Sequence, residues 1–220
     1  MPREASGEVR GIISFVWVYM ATWIVKDGAP ELGRGSILPG AGLRASCLSV
    51  DPAGARADGI TELVDDGGGR RRGGHAYELT GLAGAARDVF AGDGPAKRHA
   101  GSEFMITAGD QRYIARAAGP ASEVPAGSRI TAQCTLSVVA DYEWDAFGLP
   151  DLRSDWRVLG LKIEHTQTDD AHDSLGQVLG GPSGPVLRSF EIGHMSRWDD
   201  DREPSIRAWY VLNLQRIQAS

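Results

Sequence analysis

Between Arg129 and Val138 apolar and polar residues alternate without a break: Ile130, Ala132, Cys134, Leu136 and Val138 against Arg129, Thr131, Gln133, Thr135 and Ser137. A period of two puts the first set on one face of an extended chain, so this stretch predicts a strand with one buried face. A helix would scatter the same apolar residues around its axis. The strand runs into Asp141-Tyr142-Glu143-Trp144-Asp145-Ala146-Phe147-Gly148-Leu149-Pro150-Asp151-Leu152-Arg153-Ser154-Asp155, where carboxylates outnumber the lone arginine and three aromatics stand between them. Trp156 to Ile163 then resumes as an apolar strand.

A chain of 220 residues can bury a substantial core without disulfides or a metal. Its two cysteines, Cys47 and Cys134, read as buried reduced thiols, the second because it lies on the apolar face of the predicted strand. That reading fits a cytoplasmic protein. The formal net charge is −6, with 15 acidic and 15 basic groups in residues 1–140, so the excess falls in the last 80 residues. Binding of nucleic acid needs positive potential along the contact surface, and the C-terminal part has the opposite sign.

Residues 1–11 are polar and mixed in charge. Ile12 to Val25 is the most hydrophobic run, yet it is shorter than the roughly 20 apolar residues a membrane helix needs. Its aromatic and β-branched content predicts a buried strand. A loop over Ala29 to Gly42 and a short strand over Leu43 to Val50 follow. Residues 65–74, five glycines around Arg70, Arg71 and Arg72, read as a linker or long hairpin tip. Tyr77 to Leu82 begins a strand continued through Val89-Phe90. Two β-prone runs, Phe104 to Ala108 and Gln111 to Arg116, flank Gly109-Asp110, and a glycine-first pair in that position predicts a type II′ hairpin. Ala117 to Gly127 is a crossing segment without helical period. After a polar stretch, Thr166 to Pro185, two more strands, Val186 to Ile192 and Ala208 to Leu214, flank the polar Trp198 to Pro204 as a hairpin. A hairpin alone is marginal, so the N- and C-terminal segments are expected to meet in a second sheet.

The order from His75 to Ile163 resembles the OB-fold: a first strand broken by glycine, a tight hairpin, a crossing segment, a strand opened by Pro125-Ala126-Gly127-Ser128, a long loop and a last strand. The resemblance covers about 90 residues and rests on architecture, with no specific motif. It implies an all-β chain, a small OB-like Greek-key barrel with a flanking sheet formed by the termini. The segments are then 1–66, an N-terminal β segment; 67–74, a linker; 75–165, the barrel; 166–185, a polar linker; and 186–220, a C-terminal hairpin packing with the N-terminal segment. In OB-folds the loop between the last two strands is a usual binding element, and Asp141 to Asp155 occupies that place. Across the whole chain, the Trp17 to Trp23 strand, Asp141-Tyr142-Glu143-Trp144 and Trp209-Tyr210-Val211-Leu212 look similar to small actinobacterial proteins of unknown function, a likeness that implies no active site.

Asp141, Glu143 and Asp145 alternate, as hard-cation ligands on an extended chain would, but an EF-hand needs Gly where Ala146 stands and Glu where Leu152 stands. Glu143 with Asp151 or Asp155 is a carboxylate pair of the kind glycosidases use, at a separation the sequence does not give. His165, His172 and His194 lack zinc-site spacing, and Asp169-Asp170-Ala171-His172-Asp173 reads as a polar loop. No nucleophile elbow, phosphate loop or dinucleotide fingerprint occurs.

The expected function is therefore a binding or interaction module acting through the 141–155 loop. Tyr142, Trp144 and Phe147 would stack or bury, and Asp141, Glu143, Asp145 and Asp151 would accept hydrogen bonds. Its partner is a small molecule, an oligosaccharide or a protein, with nucleic acid less favoured by charge; no cofactor, metal or membrane is implied. A small β-barrel hydrolase or cyclase using loop carboxylates is the alternative, and single-stranded nucleic-acid binding through Arg70 to Arg72 the second.

Overall fold

The computed structural model describes residues 15–26, 31–63, 75–91, 97–139, 152–167, 185–196 and 206–217. Their regular structure is β apart from one helical turn and short 3-10 turns. The strands are β1 (Val16–Ala21), β2 (Ile37–Ala41), β3 (Leu43–Pro52), β4 (Gly59–Leu63), β5 (Ala76–Ala83), β6 (Arg87–Ala91), β7 (Arg98–Ala108), β8 (Gln111–Ala117), β9 (Arg129–Val138), β10 (Ser154–Gln167), β11 (Val186–Glu191) and β12 (Ile206–Arg216). They form one mixed sheet.

The alternating stretch is the strand β9, and its apolar set, Ile130, Ala132, Cys134, Leu136 and Val138, lies in the main core. The polar set is buried too at Thr131, Thr135 and Ser137. Alternation therefore found the strand but not its second covered face. β9 is also the branch point of the sheet. One edge pairs antiparallel with β3, while the other carries β5 over residues 129–134 and then β1, parallel, at Ser137.

The pairings return on themselves. β9 pairs with β5, β5 with β7, β7 with β8, β8 in parallel with β3, and β3 with β9. β5 serves two neighbours by passing from β9 to β7 near Gly81, where a Cβ would collide with the Thr107 carbonyl. That contact explains the glycine inside the strand. The β7–β8 turn has Gly109 at φ +62, and no described residue other than glycine has a positive φ. Asp110 is thereby excluded from a type I′ turn, and the connection is the expected type II′.

Several elements differ from the sequence reading. The stretch Ala29 to Gly42, expected as a loop, contains β2, which pairs with β10. The terminal strands do not build a second sheet but continue the same one. The apolar run expected as one strand to Val25 ends at Ala21, and Thr22–Lys26 forms helix α1. Its ladder with β12 stops at Ala21↔Trp209, and curling the chain there buries Val25, so tertiary packing overrides β-branched propensity. Val89-Phe90 does not extend β5; it belongs to β6, which folds back on β7. The strand after the acidic loop, β10, pairs with β12, β11 and β2, and the place beside β8 is taken by β3. β10 also lies between β11 and β12, so the last two strands are not neighbours, while β12 pairs along all of β1.

Candidate functional site

Asp141, Tyr142, Glu143, Trp144, Asp145, Phe147 and Asp151 lie outside the described residues, as do the Arg70 to Arg72 run and the acidic cluster around His172. The two ends of the acidic segment are described. Val139 and Leu152 are both buried against Ile114, with Met105 beside them, and Met105 and Ile114 are cross-strand partners on β7 and β8. Val139 is held further by its N–H to the Gly42 carbonyl at 3.0 Å. On the far side Asp155 accepts from the Gly40 N–H at 2.8 Å, and the Trp156 indole donates to the Ala41 carbonyl at 2.9 Å. The segment thus leaves and rejoins the sheet on the face of β7–β8 opposite Phe104, Ile106, Tyr113 and Ala115, which belong to the main core.

Register defines what shares that face, because paired residues project to the same side. One row runs Tyr19, Ser137, Arg44, Ile114, Met105, and its neighbour runs Thr135, Ser46, Arg116, Glu103, Arg87. Apart from Tyr19, Ile114 and Met105 the two rows are polar, and Arg44, Ser46, Glu103, Thr135 and Ser137 are all buried. Glu103 is clamped across strands, with one oxygen accepting from Arg87 at 2.8 and 3.2 Å and the other from Arg116 at 2.6 Å. Such geometry satisfies the carboxylate that burial would otherwise penalise. The Ser137 Oγ is buried without a hydrogen-bond partner.

Next to this strip, β1 and β5 lie end to end along one edge of β9, and an aromatic and polar junction forms between them. The Trp17 N–H donates to the Tyr77 hydroxyl at 2.7 Å, and burial pushes the Tyr77 phenol well up, keeping it neutral. The Tyr19 hydroxyl accepts from the His75 N–H at 3.3 Å and donates to buried Glu164 at 3.2 Å; Ser189 donates to the other Glu164 oxygen at 3.3 Å. The His75 ring stacks on Trp17 with centroids 4.9 Å apart and contacts Glu62 at 3.1 Å, while the Lys162 ammonium lies 4.3 Å from the Trp17 centroid. Trp156 and Trp209 are buried, and Trp17 is only partly so.

A separate exposed cluster stands on the β6–β7 hairpin. Phe90 is 49% exposed, with the Lys97 ammonium 4.9 Å from its centroid and His99 edge-on at 5.6 Å. Asp88 accepts from the Ala121 N–H at 2.8 Å and contacts His99 at 3.0 Å, and those two interactions, in that order, hold its carboxyl below the usual value.

The sequence reading missed Arg44, Glu103, Arg116, Tyr19 and Glu164. Arg44, Arg116 and Glu164 sit at polar positions of alternating strands and Glu103 at the polar start of an apolar run, where solvation is the ordinary expectation, while Tyr19 lies in the apolar run Ile12 to Val25 with nothing local to single it out. Only the folded chain shows that Arg44, Glu103 and Glu164 are buried. Among the described residues no group of three or more His, Cys, Asp and Glu could hold a metal ion, and no helix is long and apolar enough to cross a membrane. No family model matches the chain, and neither a curated protein nor a solved structure does.

Proposed function

We propose that the five-strand cycle is an OB-like Greek-key barrel in permuted order, and that the protein is a binding or interaction module whose ligand meets the β7–β8 face beside the 141–155 segment. In this reading β5, β7, β8 and β9 take the first four places, and β3, drawn from the N-terminal part, takes the fifth, parallel to the third. OB-folds use the face of their second and third strands, with the loop after the fourth, for ligands. The observation that carries the reading is the fastening of Val139 and Leu152 onto the Met105–Ile114 pair, which starts and ends the acidic and aromatic segment on that face. Trp144, Tyr142 and Phe147 then supply stacking surface, and Asp141, Glu143, Asp145 and Asp151 accept hydrogen bonds from a polyhydroxylated or cationic small molecule, or from a protein partner. The free buried thiols favour a cytoplasmic setting.

The test is the unfolding midpoint against oligosaccharides, nucleotides, short oligonucleotides and divalent cations. A ligand present at a hundred times its Kd and bound only by the folded chain adds about 2.7 kcal/mol, a shift of a few degrees. A shift abolished in Trp144→Ala, with the unliganded midpoint unchanged, supports the reading. A midpoint that moves with none of these classes removes the small-ligand form and leaves the protein partner.

A second reading has one observation behind it. Phe90 with Lys97, next to Arg98, lies on the connection between the first two strands of the barrel as ordered above, the other OB ligand element. A single-stranded oligonucleotide would stack on Phe90 and neutralise its phosphates on the basic groups, so binding must weaken steeply with salt and fall in Phe90→Ala. Affinity that is absent even at low salt removes this reading.

A further inference from the structure

Cys47 and Cys134 face each other directly across the β3–β9 ladder. The Val139 N–H donates to the Gly42 carbonyl, so those two residues form a hydrogen-bonded pair of that ladder. Hydrogen-bonded and non-bonded pairs alternate along antiparallel strands. Counting from Gly42–Val139, the pairs Leu43–Val138, Ala45–Leu136 and Cys47–Cys134 are of the non-bonded kind. Such pairs bring their Cα atoms to about 4.5 Å, the closest approach a sheet offers and inside the range a disulfide spans. Both side chains belong to the main core, at 5% and 0% exposure, so they project to the same side. The ladder is interrupted immediately beyond Cys47, where the register shifts and Leu48 is 58% exposed.

We propose that Cys47 and Cys134 are a dithiol site that a low-molecular-weight disulfide converts into an intrachain bond stapling β3 to β9. One thiol, as thiolate, attacks the reagent's S–S bond, giving a mixed disulfide and releasing one reagent thiol. The second displaces the remaining reagent sulfur. The reagent's S–S bond is broken and the Cys47–Cys134 bond formed; the two S–H protons leave on the two reagent thiols, and the reagent is the species reduced. Burial pushes the Cys47 thiol up to about 12 and Cys134 well up, so neither is a nucleophile while the ladder is closed. Exchange therefore passes through opening of β3 at its interruption, and reclosing brings the two sulfurs together. The bond fixes the strand that comes from the N-terminal part into the five-strand cycle, making the cycle covalently closed under oxidising conditions and dependent on packing under reducing ones.

The experiment equilibrates the full chain with oxidised and reduced glutathione over a range of ratios, with and without unfolding urea. The bond is scored by intact mass, which falls by about 2 Da as two hydrogens leave, and by loss of maleimide labelling after denaturation. The proposal expects an equilibrium constant for the bond at least about tenfold larger in the folded chain. By linkage the oxidised chain then melts several degrees higher. Cys47→Ala and Cys134→Ala each abolish the mass change and the rise in midpoint. A constant equal or smaller in the folded chain, a midpoint no higher after oxidation, or a rise that survives in either variant overturns it.

Discussion

The hydroxyl of Tyr77 accepts the backbone N–H of Trp17 at 2.7 Å, so β1 is tied to β5 of the five-strand cycle by a side chain. β1 and β5 share one edge of β9 end to end, and the Tyr77 phenol bridges the gap between them.

Removing that bridge has a defined consequence. Tyr77→Phe keeps the ring that packs in the core but leaves the Trp17 N–H without its acceptor, a loss of about 1–3 kcal/mol. Urea unfolding should show a lower midpoint at unchanged slope. A midpoint equal to that of the wild type would mean that the N–H finds water, and that the junction does not depend on Tyr77.

The two arginines on Glu103 are not equivalent. The Arg87 side chain is 55% exposed and that of Arg116 17%, whereas Glu103 is fully buried. Solvent screens the first pair, so Arg87→Ala should cost less than about 1 kcal/mol. Arg116→Ala strands the inner carboxylate oxygen and should cost about 3 kcal/mol. The ranking is checked by denaturant unfolding of both variants; equal losses contradict the assignment of Arg116 as the inner clamp.

Asp88 makes stability depend on acid. Its folded carboxyl is held below the ordinary 3.8 by the Ala121 N–H and then by His99. A depressed acid contributes stability that is present above the unfolded value and is lost as pH falls through the folded one. Asp88→Asn keeps an acceptor for Ala121 but cannot ionise, so the midpoint of this variant should fall less steeply than that of the wild type below pH of about 4. Parallel profiles would show that the hairpin contact is not maintained in solution.

Alkali acts through the thiols. Cys47 is raised by burial from 9.0 to about 12, and Cys134 is raised in the same sense. Raised groups contribute stability that is intact below the unfolded value and lost as pH climbs toward the folded one. The reduced wild type should therefore lose stability from pH of about 9 upward. Cys47→Ala should flatten that part of the profile. An unchanged alkaline limb would assign it to the tyrosines, of which Tyr113 is also raised by burial.

Much of the strand content was legible, because alternation and turn chemistry are local. β9 and the Gly109 hairpin follow from ten and two residues respectively. What was not legible was partnership. Nothing in Leu43 to Val50 says that it lies parallel to Gln111–Ala117, and nothing in Trp156 to Ile163 says that it lies between two C-terminal strands. For the same reason Arg44, Glu103 and Glu164 read as solvated polar positions, although all three are buried in the folded chain. The acidic segment was legible as a segment, and its end residues, Val139 and Leu152, show where on the sheet it is fastened.

Hydrogen–deuterium exchange with and without a ligand selected by the midpoint screen tests the central claim most directly. Binding at the proposed face predicts new protection in peptides covering Met105 to Ile114 and residues 140–153, and loss of that protection in Trp144→Ala. Protection confined to other strands, with these two regions unchanged, would contradict it.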